Sequence, residues 1–263
     1  MDTSTTPSAS GHWSELAKVP VLITLWFWVI KIMATTVGET AADFLAVDLH
    51  AGLLATSLVM TGLFVVALAA QMRARRYIPW LYWLTVVLIS VVGTLLTDNL
   101  TDRLGLPLVV RTGLFALALG AIFIAWYSRE GSLSIHSIVR GRREGFYWAA
   151  ILLTFALGTA AGDLAAERLQ YGYANSALVF GGAIALVTLA YYVFKANAVL
   201  AFWLAYILTR PFGATCGDWL SKPAAEGGMG LGTVGTSVLF LAVITLLVTY
   251  LTISRRDAPR PAV

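Results

Sequence analysis

Charge is what this sequence lacks most. Asp, Glu, Lys and Arg make up 12% of its 263 residues, against about 25% in a soluble domain. That is too little to coat a soluble fold, and 59% of the chain is hydrophobic. Cysteine is nearly absent: Cys216 stands alone, which excludes an internal disulfide and a thiolate metal cluster within one chain. There are three histidines, and no HExxH, no nucleophile with a neighbouring His and no phosphate-cradling glycine loop is found. These absences argue against an enzyme. The basic residues form no stripe, so the formal charge of +4 does not point to nucleic acid. The first 17 residues are polar and rich in Ser and Thr, without the apolar core and cleavage site of a signal peptide. They read as a disordered cytoplasmic tail.

What the chain does have is long apolar runs. A helix crosses the hydrocarbon layer in about 20 residues, and eight such segments can be drawn: 20–42, 51–72, 79–98, 106–127, 146–166, 174–195, 198–220 and 229–253. The connections alternate in charge. Lys18, Arg73, Arg75, Arg76, Arg129, Arg140, Arg142, Arg143, Lys195, Arg255, Arg256 and Arg260 fall on one side, and Arg103, Arg111, Arg168 and Lys222 on the other. Basic loops stay in the cytoplasm, which places both termini there. The fold class is an all-α membrane protein with one transmembrane domain over 18–254 and a cytoplasmic tail over 255–263.

That domain repeats itself. The odd spans end in TTVGETAADF, GTLLTDNLTD, GTAAGDLAAE and GATCGDWLSK. Superimposing the first acid of each aligns Glu39, Asp98, Asp163 and Asp218, at intervals of 59, 65 and 55 residues. Four residues on stand Asp43, Asp102, Glu167 and, breaking the pattern, Lys222. Trp83, Trp148 and Trp203 each precede their acid by fifteen residues, whereas the first repeat has Thr24 there. The units, about 18–77, 78–144, 145–197 and 198–254, are two-helix hairpins. A hairpin returns the chain to the side it left, so all four repeats are parallel across the membrane. Fifteen residues of helix rise about 22 Å, which puts the first acids in the outer third of a core about 30 Å thick.

Seven of the fourteen acidic residues occupy these eight positions. Intramembrane charge is costly and commonly marks an ion path. The prediction is a cation site at Glu39, Asp98, Asp163 and Asp218, with Asp43, Asp102 and Glu167 as a second tier. Thr35, Thr94 and Thr159, one turn earlier, are supporting oxygens. Snorkelling to the outer interface is the bland alternative, and it fits the second tier best. Lys31 and Arg210 lie eight residues before Glu39 and Asp218. If each pairs with a first-set acid, two formal negative charges remain, which suits one divalent or two monovalent cations. Carboxylate oxygens favour Mg²⁺, Ca²⁺ or Mn²⁺ over copper or zinc. His50, near the outer end of the second span, is placed to assist a cation or proton path. Cys216 reads as packing, His12 and His136 as incidental, and loop 128–145 as topological charge.

The segments KVPVLITLWFWVIKIMATTVGETAADFL, YIPWLYWLTVVLISVVGTLLTDNLTD, EGSLSIHSI, FYWAAILLTFALGTAAGDLAAE and TRPFGATCGDWLSKP together resemble a bacterial family labelled as uncharacterised membrane-anchored proteins. The resemblance runs from Lys18 onward and implies a bacterial inner-membrane protein. It brings no activity, so no residue role is carried over.

The leading expectation is therefore a cation transporter, for a divalent metal such as Mn²⁺ and with proton coupling in view. A cation channel is the second reading, since rings of acids select cations. A non-transporting scaffold or sensor, its charges spent on interhelical pairs, is the third. No resident cofactor is implied. The expected partners are the bilayer and a small cation, and four internal repeats make a monomer self-sufficient without excluding an oligomer.

Overall fold

The computed structural model describes residues 18–20, 22–135, 138, 141–254 and 256–257. The N-terminal tail with His12, the His136 position, Arg140, Arg255, Arg260 and most of the C-terminal tail lie outside these residues. Among the described residues there are eight long helices and no strand. They are α1 (Leu25–Asp43), α2 (Leu53–Arg73), α3 (Pro79–Asp98), α4 (Leu108–Glu130), α5 (Arg142–Asp163), α6 (Gly172–Tyr192), α7 (Ala198–Ser221) and α8 (Thr233–Ser254). Each predicted span meets one helix. Seven are long and apolar enough to cross a membrane. The exception is α1, which carries Lys31, Glu39 and Asp43 within 19 residues.

Local chemistry sets several ends. Pro79 opens α3, where its missing N–H is no loss. The Asn197 side chain caps α7 by accepting from the Val199 and Leu200 amides at 3.0 and 3.1 Å. Gly131 closes α4 at φ 68°, a left-handed turn that glycine adopts without strain.

The helices form two layers. The membrane-crossing stretches of α3, α5 and α7 are 72%, 61% and 50% buried, whereas those of α2, α4, α6 and α8 are 17%, 17%, 11% and 28% buried. The odd helices thus make an inner ring, and the even helices present Leu, Val and Ile to lipid. Around the ring α1 touches α3, α3 touches α5, α5 touches α7 and α7 returns to α1. Each outer helix leans chiefly on the inner helix of the following repeat: α2 on α3, α4 on α5, α6 on α7, and α8 back on α1.

Close approach in the ring depends on one glycine per repeat. A Cβ added at Gly38 would collide with Ser90, at Gly93 with Phe155, at Gly158 with Arg210, and at Gly213 with Thr35. The four contacts run around the ring in the same sense, each glycine against the next repeat. Small residues also admit cross-helix bonds, such as Thr36 Oγ1 to Gly213 O at 3.0 Å and Thr97 Oγ1 to Ala156 O at 3.2 Å. Gly93→Ala or Gly213→Ala is expected to cost about 1–3 kcal/mol by overpacking. The Thr35 hydroxyl can turn away, but Phe155 Cβ at 2.7 Å from the one added Cβ and Thr35 Cβ at 2.8 Å from the other are fixed to the backbone. Thermal unfolding in detergent measures this, and an unchanged midpoint for both variants would contradict the ring contacts.

One half of the ring's axis is filled with aromatics. Phe27, Tyr82, Trp83, Tyr147, Trp148, Trp203 and Tyr206 are all buried, and the Tyr82 and Tyr147 hydroxyls meet at 2.6 Å. Over this end fold Lys18, bonded to Glu144 at 2.7 Å, and residues 131–135, whose Leu133 carbonyl accepts from Trp203 Nε1 at 2.9 Å. Loop 128–145 is thus partly a plug: Ile135 and Ile138 are buried.

Candidate cation site

The other half of the axis is polar. A cavity of about 260 Å³ is lined by Glu39, Asp43, Asp98, Asp102, Asp163, Glu167 and Asp218, together with Thr101, Leu108, Arg111, Tyr173 and Lys222. All seven of the repeated acids therefore face one space. At its floor Glu39, Asp163 and Asp218 each offer a carboxylate oxygen, and these three lie within 4.8 Å of one another. They come from α1, α5 and α7, so three repeats converge on one point. Asp98 lines the same cavity but is not in this close trio. Asp102 and Glu167 are exposed at the rim.

The floor is held from below. Glu39 Oε2 accepts from Thr94 Oγ1 at 3.2 Å and Thr159 Oγ1 at 3.5 Å, and meets Arg210 Nη2 at 3.2 Å. Arg210 is fully buried and also donates to the Thr35 carbonyl at 2.9 Å and to Thr94 Oγ1. Among the described residues no hydrogen bond or ion pair reaches Glu39 Oε1 or the carboxylate oxygens of Asp98 and Asp218. Asp218 is 7% exposed, and a carboxylate at such depth is costly without a counter-charge.

The structure corrects the predicted charge partners. Lys31 pairs with no acid among the described residues. Its Nζ donates to the Tyr206 carbonyl at 3.1 Å and Thr209 Oγ1 at 2.7 Å, and lies 3.9 Å from the Tyr206 ring centre. The second base of the site is Arg111, assigned from sequence to an outer loop. It stands in the first turn of α4, 3% exposed, with Nη2 2.5 Å from Asp163 Oδ2 and further bonds to Thr101 Oγ1 and the Thr97 carbonyl. Its position inside a predicted span was the available signal. Lys222, where the acid pattern breaks, supplies a third base, 2.7 Å from Asp43. Tyr173 was missed, because one lining phenol has no sequence signature. Thr35 uses its hydroxyl on the Ile32 and Thr209 carbonyls, and reaches the site only through its own carbonyl on Arg210. His50 is exposed, with Nδ1 2.9 Å from the Asp48 carbonyl, and does not line the cavity. Cys216 does not line it either.

The register of the first repeat is also corrected. Gly38, Gly93, Gly158 and Gly213 make equivalent contacts, and five residues beyond each stands an aspartate: Asp43, Asp98, Asp163 and Asp218. Immediately after the first three a π-helical turn begins, at Phe44, Asn99 and Leu164. Counting back fifteen residues from Asp43 now finds Trp28, so the apparent exception at Thr24 disappears. Glu39 is an extra acid one turn deeper, level with Thr94, Thr159 and Ala214, which is why those two hydroxyls meet its carboxylate. Lys31 correspondingly stands twelve residues before its aspartate, one turn below Arg210's layer.

Four parallel hairpins in a closed ring, lipid-facing outside and acid-lined at one end of the axis, define a membrane protein built by internal repetition around a polar cavity. The chain belongs to the family described as "Repeat of Unknown Function (DUF347)", which matches it four times, over residues 26–77, 81–132, 146–197 and 201–257. The four matches carry the corrected register, since Asp43, Asp98, Asp163 and Asp218 each fall seventeen positions after a match begins. No curated protein and no solved structure matches the chain.

Proposed function

We propose that this protein is a carrier for a divalent cation of the hard, oxygen-seeking kind, such as Mn²⁺, bound at the floor of the acidic cavity. The observation that carries this reading is the convergence of Glu39, Asp163 and Asp218 oxygens within 4.8 Å. Seven lining acids face three bases, Arg111, Lys222 and Arg210. With every group ionised, four negative charges are left for a cation to balance. The ligands are oxygens without a thiolate or imidazole, which suits Mg²⁺, Ca²⁺ or Mn²⁺ better than Zn²⁺ or Cu²⁺. The cavity leaves room for an ion that keeps several waters, as these ions do. Asp98, Asp102 and Glu167 raise the cation concentration along the approach.

A carrier is favoured over a channel because the axis below Glu39 is closed by Arg210, Lys31 and the aromatic layer, all buried. On this reading the protein has no catalytic residue. It sits in a bacterial inner membrane with both termini in the cytoplasm, so the cavity faces outward. A scaffold held by the Arg210–Glu39, Arg111–Asp163 and Lys222–Asp43 pairs is the competing reading. It leaves Asp218 and Asp98 without a role.

Calorimetric titration of the detergent-purified chain with Mn²⁺, Ca²⁺, Mg²⁺ and Zn²⁺, followed by flux into proteoliposomes, tests the proposal. Saturable binding of one or more of the first three ions, together with its uptake, is expected. A folded sample that binds none of the four ions returns the acids to a structural role.

A further inference from the structure

Lys31 takes no part in the cation site, and among the described residues its amine meets a carbonyl, a hydroxyl and aromatic rings but no carboxylate. It is fully buried on α1. The groups turned toward it from its neighbours are Tyr206, Thr209 and Arg210 of α7 and Phe155 of α5. Tyr147 of α5 and Tyr82 of α3 lie in the aromatic layer beneath and are bonded to each other. On the α8 side the titratable group is Tyr250, packed on Trp26. None of these is a carboxylate. Arg210, in contrast, has its charge met by Glu39. Both basic groups lie over one ring: Lys31 Nζ is 5.2 Å and Arg210 Cζ 5.5 Å from the centre of Phe155.

On its other side Lys31 is linked to a second cavity. Thr209, whose hydroxyl takes the 2.7 Å bond from Nζ, lines an apolar space of about 530 Å³. That space lies between α1, α6, α7 and the Leu133–Ile135 segment, in the half of the molecule away from the acids. Lys31 therefore stands between two cavities. It is joined to one through Arg210 and Glu39, and to the other through Thr209.

We infer that Lys31 is the proton-binding group of the transport cycle, giving up its proton by way of Thr209 toward the second cavity when a cation occupies Glu39. The inference rests on the cation reading of the acidic cavity. The coupling is electrostatic. A cation on Glu39 takes over the carboxylate that balances Arg210. The guanidinium, which keeps its proton in proteins, then bears on Lys31, and with both groups fully buried little water screens the repulsion. One proton passes from the ammonium to a water molecule on the second-cavity side of Thr209, whose hydroxyl donates to the Tyr206 carbonyl at 2.9 Å, and the neutral amine remains. When the cation departs, Glu39 again balances Arg210 and the amine takes a proton back. No electron transfer is involved.

The test uses the full chain in detergent, titrated with Mn²⁺ in buffers of different ionisation enthalpy, which counts the protons released on binding. Lys31→Arg and Lys31→Met are compared with the unaltered protein. Both variants are expected to bind Mn²⁺ and to release about one proton fewer, because arginine keeps its proton and methionine has none. In proteoliposomes both should lose Mn²⁺-driven proton movement. A purely structural charge behaves otherwise: Lys31→Arg would restore whatever Lys31→Met loses, and that outcome overturns the inference. Normal Mn²⁺ binding with an unchanged proton count overturns the role of Lys31 alone. Absence of Mn²⁺ binding in the unaltered chain overturns the cation reading, and this inference with it.

Discussion

Glu39→Gln combined with Asp218→Asn is expected to weaken Mn²⁺ binding by about two orders of magnitude or more. The pair removes two of the three converging carboxylates while keeping their volume and hydrogen-bonding shape, and affinity for hard cations tracks the number of charged ligands. The substitutions differ in what they leave behind. Asp218→Asn removes an acid that has no bonded partner among the described residues, so the fold should tolerate it. Glu39→Gln leaves the Arg210 guanidinium without its counter-charge, although Thr35 O and Thr94 Oγ1 still receive it. The single Asp218→Asn variant is therefore the cleaner probe of binding, and calorimetry on both variants separates the effects. Undiminished affinity in the double variant would move the ion away from the cavity floor.

Arg111→Leu is expected to have the largest effect on stability, about 3–5 kcal/mol, the usual cost of breaking a buried ion pair from one side. Arg111 is 3% exposed and its partner Asp163 15% exposed, so water reaches the pair only from the cavity side. The loss leaves Asp163 facing Glu39 and Asp218, with only Arg210, already paired with Glu39, as a nearby cation. Adding Asp163→Leu should return much of the stability, since two apolar side chains then replace two charges. Denaturation in mixed micelles, followed by tryptophan fluorescence, measures both variants. Equal stability of Arg111→Leu and the unaltered chain would mean that the pair contributes nothing net. Mn²⁺ at saturating concentration should partly rescue Arg111→Leu, by mass action on the folded state.

The architecture was legible in the sequence because lipid imposes a simple rule: backbone groups must be satisfied within the segment, so each apolar run becomes a helix. The repeat was legible because the same packing problem is solved four times with glycine, threonine and aspartate. The register of the first repeat was not. Glu39 is the first acid of its motif and attracted the alignment, whereas the packing glycine Gly38 marks Asp43 as the equivalent residue. Trp28, preceded by Phe27 as Trp83 is by Tyr82, carries the same information and was legible by counting back from Asp43. The charge partners were harder. Lys31 and Arg210 look alike by spacing, but one turn of depth separates them. At Arg210's depth a carboxylate is within reach, and at Lys31's depth only a carbonyl, a hydroxyl and aromatic rings are. Helix rotation decides that, and a sequence states it only weakly. Arg111 shows the reverse error. A base near a span end reads as topology until the neighbouring helix supplies an acid at its own level.

The offset by which every outer helix rests on its neighbour's inner helix has a consequence for how the chain is made. An isolated hairpin would leave its two helices largely apart, so no repeat is a self-contained unit that matures as it emerges from the ribosome. Each of these spans is apolar enough to enter the bilayer alone, but the packing of α2 waits on α3, that of α4 on α5, and that of α6 on α7. The seam between the first and last repeats stays open until α8 reaches α1, where Thr40 and Ser237 join at 2.7 Å. Assembly is thus a clasp fastened by the last span, and chains stopped short of Thr233 should be recognised in the membrane as unfinished and degraded.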